Sequence, residues 1–149
     1  MTSTQPQFST RHNGGFTMIE LLVAAAILAL LTTISVVSFR SANIKARDGK
    51  RKADISQVRS ALELYRSSTG NGQYPSGNFS TMVSTLSSGE YLSDPLPADP
   101  TNTGTYVYVY TQTSTTSYCL CANLENGGGN RSSSTCTGSS GTYYCLNNP

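Results

Sequence analysis

Gly14-Gly15-Phe16-Thr17-Met18-Ile19-Glu20-Leu21-Leu22 opens the stretch that decides the fold of this 149-residue chain. From Leu21 to Phe39 the sequence contains no charged residue, no proline and no glycine. A helix of this length spans about 29 Å, which is close to the thickness of the hydrocarbon core of a bilayer. The sequence therefore predicts an N-terminal helix that can cross a membrane.

Glu20 is the charged residue at the N-terminal edge of this apolar stretch. A charged side chain deep in a bilayer costs about 2.5–3.5 kcal/mol on insertion scales, so it usually has a partner or a function. One interpretation is that Glu20 lies close enough to the interface to reach water. The glycine pair, the aromatic residue and the acid at fixed spacing before the helix favour a functional role instead.

The segment from Gly14 to Leu22 resembles the processing and methylation motif of type IV prepilins and type II secretion pseudopilins. The resemblance implies that a membrane prepilin peptidase cuts after Gly15 and methylates the new N-terminal residue, Phe16. It also implies that Glu20 pairs with the N-terminal amine of a neighbouring subunit during filament assembly. A softer resemblance, to the head of the major type II pseudopilin, covers the region from Tyr74-Pro75 to Asp99-Pro100.

The resemblance implies an α+β pilin fold, in which a long N-terminal helix packs on a small antiparallel sheet. We expect four segments: a leader peptide, a transmembrane helix that forms the filament core, an amphipathic stem helix and a globular head with disulfides. Their expected bounds are 1–15, 16–39, 40–69 and 70–149.

The orientation in the membrane is predicted differently by two signals. Six lysines and arginines lie close after the apolar stretch, between Arg40 and Lys52, whereas the leader holds Arg11 alone. The positive-inside rule therefore places the C-terminus inside the cell. The family resemblance implies an extracytoplasmic head. We prefer the second orientation, since the disulfides expected from the four cysteines also agree with an extracytoplasmic head.

The stem segment carries an apolar stripe at helical spacing, formed by Ile55, Val58, Leu62 and Tyr65. Its charged residues are interpreted as a solvated helix face. Asp48 with Lys52, and Arg59 with Glu63, are expected to form pairs four residues apart.

Two further positions bear on the shape of this helix. Gly49 is a candidate bend, since glycine weakens a helix. Position 37 holds valine, near the point where many major pilins have a proline, which predicts a straighter helix. Gly70 and Gly72 supply a stop signal.

The head is predicted to contain one short helix and three strands. Phe79, Met82, Val83 and Leu86 define the helix, with Asn78 as its cap and Gly89 as its end. The segment 94–100 contains three prolines and is predicted to be a rigid connector. The expected strands are 106–110, 118–122 and 143–146, of which the first alternates tyrosine and valine. Residues 125–142 are predicted to form a surface loop.

All four cysteines, Cys119, Cys121, Cys136 and Cys145, lie near the C-terminus. Four cysteines allow three pairings. Cys119 and Cys121 lie on one strand and make a poor bond with each other, so each is expected to pair with a later cysteine. A nested hairpin favours Cys119 with Cys145 and Cys121 with Cys136. A zinc site is the rival, but the spacing does not form two Cys-x-x-Cys pairs.

Composition argues against several classes of function. The sole histidine, His12, lies in the expected leader, so histidine-based catalysis is not expected in the mature chain. There is no glycine-rich phosphate loop. The net charge of +2 is too small to argue for nucleic-acid binding. We expect no enzyme activity, no cofactor and no metal, and Glu125 is the only obvious calcium ligand in the terminal loop.

The sequence therefore predicts a structural subunit of a type IV pilus or a type II secretion pseudopilus. Its expected partners are other copies of itself and related pilins, the prepilin peptidase, an inner-membrane assembly platform and the lipid bilayer. One alternative keeps the family but assigns a minor pilin or a DNA-uptake subunit. Another is a single-pass membrane-anchored protein whose head binds a ligand at the cell surface.

Overall fold

The computed structural model describes residues 14–138 and 140–148. The expected leader, apart from Gly14 and Gly15, lies outside the described residues. The chain divides between Phe39 and Arg40 into two compact units. One long helix contributes to both units, and the second unit holds every other helix and strand that the structure describes.

Helix α1 runs over Met18–Ser68 and has 51 residues. It continues without interruption through Gly49, where the bend expected from the sequence stays a prediction. The helix ends at Ser68, just before Gly70 and Gly72, the predicted stop signal. Gly70 donates its backbone N–H to the carbonyl oxygen of Tyr65 at 2.8 Å, and a side chain at Gly70 would meet the carbonyl oxygen of Gln73 at 2.3 Å. Glycine at this position therefore lets the chain turn away from the helix.

Helix α2 covers Phe79–Ser88 and has the ends that the sequence predicts. The side-chain oxygen of Asn78 accepts a hydrogen bond from the backbone N–H of Thr81 at 3.0 Å, which satisfies a free N–H of the first turn. The backbone N–H of Gly89 donates to the carbonyl oxygen of Thr85 at the other end.

Three antiparallel strands form one sheet in the order β1-β2-β3, with β1 at Val109–Ser114, β2 at Ser117–Asn123 and β3 at Tyr143–Asn147. Strand β1 begins later than predicted. The chain still turns at residues 103–106, where the N–H of Tyr106 donates to the carbonyl of Thr103 at 3.0 Å. Gly104 has a positive φ of 58° in this turn, so regular pairing starts only beyond it.

The core of the head lies between α1, α2 and the sheet. The predicted stripe of α1 is confirmed, since Ile55, Val58 and Leu62 are fully buried, although Tyr65 is only partly covered. They belong to the same buried cluster as Met82 and Leu86 of α2. The sheet contributes the buried residues Tyr110, Tyr118, Leu120 and Ala122.

The predicted solvated face of the stem is wrong at two positions. Asp48 is 7% exposed and Arg51 is fully buried. The expected pair of Asp48 with Lys52 is replaced by a pair of Asp48 with Arg51 at 2.9 Å. Loops of the head fold over this turn of α1 and take the side chains of Asp48 and Arg51 out of water.

Candidate functional site

The expected cleavage position is open in the structure. Gly14 and Gly15 precede α1 in irregular, exposed chain, and a Cβ added at either glycine would meet nothing within 4 Å beyond its own chain neighbours among the described residues. Phe16 is 84% exposed. The peptide bond between Gly15 and Phe16 is thus free of steric cover from the described residues.

Thr17 and Glu20 form a reciprocal cap at the start of α1. The backbone N–H of Thr17 donates to Glu20 Oε2 at 2.8 Å, and the N–H of Glu20 donates to Thr17 Oγ1 at 3.3 Å. The Thr17 hydroxyl also donates to Glu20 Oε2 at 3.0 Å. This is the capping box, in which a threonine and an acid three residues apart satisfy two free backbone N–H groups.

The capping role of Thr17 was missed in the sequence interpretation, which treated Glu20 alone. The signal was available, since a threonine three residues before a glutamate at the start of an apolar run is typical of this cap. The cap holds the carboxylate of Glu20 at the first turn of the helix, where negative charge is also favoured by the helix dipole.

The first half of α1 has an apolar surface that the rest of the described chain leaves open. It contains a segment long and apolar enough to cross a membrane, and none of that segment is buried. Its large apolar side chains are more than half exposed, from Met18 to Phe39. An apolar surface of this size requires lipid or other protein chains around it.

A cluster of charged side chains anchors two loops of the head to α1. We call it the Arg51 cluster, and it consists of Arg47, Asp48, Arg51, Asp99 and Glu125. Arg51 donates from Nε to Asp99 Oδ2 at 2.7 Å and from Nη1 to Glu125 Oε1 at 2.6 Å. Arg47 donates from its own Nε to the same oxygen of Glu125 at 2.7 Å.

Backbone groups complete the Arg51 cluster. The carboxylate of Asp48 accepts hydrogen bonds from the backbone N–H groups of Glu125 and Asn126, both at 2.9 Å. Asp99 accepts from the N–H of Thr101 at 2.8 Å. Asp48 and Asp99 therefore each have hydrogen-bond donors from both a guanidinium and the backbone, as buried charges require.

The contacts of the cluster shift the pKa values of its members. Hydrogen bonds from Arg47, followed by those from Arg51, lower the pKa of Glu125 to about 2. Burial would raise the pKa of Asp99, but hydrogen bonds from Arg51 and from two backbone N–H groups outweigh it and keep that pKa below its usual value. The hydrogen bonds to Asp99 and the other carboxylates raise the pKa of Arg51. Glu125, Asp99 and Arg51 are therefore all charged at neutral pH.

No local pattern in the sequence signalled the Arg51 cluster. Asp99 and Glu125 lie 48 and 74 residues from Arg51 along the chain. The sequence suggests Glu125 only as a possible calcium ligand, whereas the structure places its carboxylate against the guanidinium groups of Arg47 and Arg51.

All four cysteines form disulfides, but the favoured pairing is wrong. The structure pairs Cys119 with Cys136 and Cys121 with Cys145. The register of the sheet explains the difference, because Cys121 on β2 lies directly opposite Cys145 on β3. Cys119 lies opposite Asn147 and is therefore left to the loop residue Cys136. The nested pairing expected from the sequence requires Cys119 to lie opposite Cys145. In the structure the register of β2 against β3 differs from this by two residues.

Two comparisons with known proteins find similarity to this chain. The family model of the prokaryotic N-terminal methylation motif matches residues 10–36. A similar protein is the type II secretion system core protein G of Pseudomonas aeruginosa, which is 35% identical over 66 residues. The match covers 44% of this chain and 45% of that relative, so the chain spans less than half the length of the curated relative it matches. No solved structure matches the chain.

Proposed function

We propose that this chain, whose N-terminal segment carries the methylation motif of the type IV pilin and type II secretion pseudopilin family, is a structural subunit of a pilus or a pseudopilus. The observation that carries the proposal is the exposed apolar half of α1, which begins at Met18 and lies mostly within the matched residues 10–36. Similarity to a type II secretion core protein supports the same assignment. The proposal describes a structural role and not catalysis.

The proposed assembly starts with the removal of residues 1–15. Cleavage between Gly15 and Phe16 exposes a new amine four residues before Glu20, and methylation follows on Phe16. The carboxylate of Glu20 then meets the amine of a neighbouring copy among packed apolar helices. In a medium of low polarity, such a pair is favoured because it removes an uncompensated charge.

The proposed orientation places residues 40–149 outside the cytoplasm. The two disulfides support it, since disulfides persist in oxidising compartments. Residues 16–39 would form the membrane helix and later the filament core, 40–69 the stem and 70–149 the head. A prepilin peptidase, an inner-membrane assembly platform and other pilins are the proposed partners.

Processing provides the direct test. We expect the intact mass of the protein extracted from the native membrane to show the loss of residues 1–15 and one added methyl group. Because the motif defines the bond that is cut, Gly15→Glu should leave the precursor uncut. A native protein that still begins with Met1 would overturn the proposal and favour a single-pass anchored binding protein.

The role of Glu20 is tested by Glu20→Gln. Glutamine retains the capping box with Thr17 but removes the charge, so the helix start is preserved while the pairing with an amine is lost. We expect filament yield, measured on sheared cell-surface material, to fall sharply while membrane insertion is unchanged. Glu90→Gln is the matched control, since Glu90 is an exposed acid in the head. Equal filament yields from the two variants would contradict the assembly role of Glu20.

A further inference from the structure

The part of α1 that directly follows the apolar stretch is rich in positive charge. Six of the 13 residues from Arg40 to Lys52 are lysine or arginine, and only one is acidic. Some of these cations are used inside the fold. Arg51 is fully buried, and Arg47 and Lys50 form salt bridges with acids of the head and of α1 itself. The remaining cations face the surroundings of the helix.

Arg40 and Lys45 are the two cations that lie nearest to the apolar stretch. Both are exposed, and neither forms a salt bridge with any residue that the structure describes. The acid closest to them in sequence is Asp48, which is 7% exposed. Its carboxylate accepts hydrogen bonds from Arg51 and from two backbone N–H groups of the head. Asp48 is thus engaged elsewhere and does not neutralise Arg40 or Lys45.

The helical rise places both cations at the surface of a bilayer that surrounds the apolar stretch. Arg40 is the first residue after Phe39 and Lys45 is the sixth, which corresponds to about 1.5 Å and about 9 Å of helix. The headgroup layer extends about 5–8 Å beyond the hydrocarbon core. The flexible side chain of a lysine can bring its ammonium group back toward this layer. Lys52, at about 20 Å, lies beyond it.

We propose that Arg40 and Lys45 bind the headgroups of anionic phospholipids where α1 leaves the bilayer. The inference rests on the proposed function in one respect, namely that the apolar stretch lies in a membrane before assembly. It holds for either orientation of the head, because it depends only on where that stretch ends. Near a membrane surface, each lysine or arginine strengthens binding to anionic lipid by about fivefold.

The test uses the full-length protein, solubilised in a neutral detergent with equal amounts of phosphatidylglycerol and phosphatidylcholine that have the same acyl chains. Native mass spectrometry gives the ratio of the two lipids that remain bound to the protein. We expect the wild type to prefer phosphatidylglycerol. Arg40→Gln and Lys45→Gln should each lower this preference by about fivefold, and the double variant should bind the two lipids nearly equally.

Lys52→Gln is the matched control, since Lys52 is an exposed lysine of the same helix about two turns beyond Lys45. Its lipid preference should match that of the wild type. Equal binding of both lipids to the wild type, an unchanged preference in the double variant, or an equal decrease in Lys52→Gln would overturn the proposal. Failure of the proposed function is distinguishable, because a native protein that keeps Met1 would overturn the pilin assignment without changing these lipid ratios.

Discussion

Arg51 makes more hydrogen bonds to the head loops than any other residue of the α1 turn at 47–51. Its guanidinium is fully buried and binds Asp99, Glu125 and Asp48. We expect Arg51→Met to reduce the free energy of unfolding by about 3–5 kcal/mol, because three carboxylates would lose their common partner. Thermal unfolding followed by near-ultraviolet circular dichroism of the tyrosines measures this change.

Lys45→Met is the control for this residue, since Lys45 is an exposed cation on the same helix. Its unfolding temperature should match that of the wild type. Equal effects of the two variants would show that the Arg51 cluster contributes little to stability.

At the residue scale, the sequence predicts those features that depend on a few consecutive residues. Glu20 and its spacing from Gly15 were visible in a few consecutive residues, and so was the cap at Asn78. Arg51 could not be recognised as buried, because nothing near it in sequence distinguishes it from Lys50 or Lys52. Its burial follows from loops that arrive from distant parts of the chain.

At the scale of elements, the two faces of α1 differ in burial. Two nearby leucines, one on each face, provide a direct comparison. Leu62 is fully buried, while Leu64 is 57% exposed. We expect Leu62→Ala to lower the free energy of unfolding by about 2–5 kcal/mol through the lost contacts and the cavity that remains. Leu64→Ala should change it by less than about 0.5 kcal/mol.

Chemical unfolding in urea, followed by the same tyrosine signal, measures both leucine variants. If Leu64→Ala destabilised the isolated protein as much as Leu62→Ala, the assignment of the buried stripe would be wrong. A loss of filaments in Leu64→Ala with unchanged stability would instead indicate that the exposed face contacts other subunits.

The elements themselves were largely predictable, but their pairing was not. Periodicity placed the stripe of α1, both ends of α2 and the last two strands. The register of β2 against β3 is fixed by contacts between residues more than 20 positions apart, such as Cys121 and Cys145. That register decides which cysteines meet, so the disulfide pairing could not be read from spacing alone.

The response of the head to acid is a property of the molecule as a whole. The pKa of Glu125 is lowered from 4.5 to about 2 in the folded state. The stabilisation that follows is present above the unfolded pKa and is lost as the pH falls from about 4.5 through 2. Asp99 acts in the same direction, since its pKa is also lowered.

We therefore expect the unfolding temperature of the head to decrease as the pH falls from about 5 to 2, because protonation breaks the contacts of Glu125 and Asp99. A series of thermal scans in buffers of constant ionic strength measures the decrease. In Glu125→Gln the decrease should be smaller. An identical pH profile in this variant would show that Glu125 is not a main source of the acid sensitivity.

The proposed assembly, in which the chain is held by its N-terminal helix, gives the Arg51 cluster a mechanical consequence. A pulling force that travels along α1 reaches the turn at Arg47 and Arg51, where loops from two distant parts of the head are fastened to the helix by charge. The loop at Asp99 and the loop at Glu125 are both bonded to Arg51, so tension at this turn is divided between them. Because the side chains of Arg51 and Asp99 are fully buried, dissolved salt screens their attraction little, so this attachment should persist at high ionic strength.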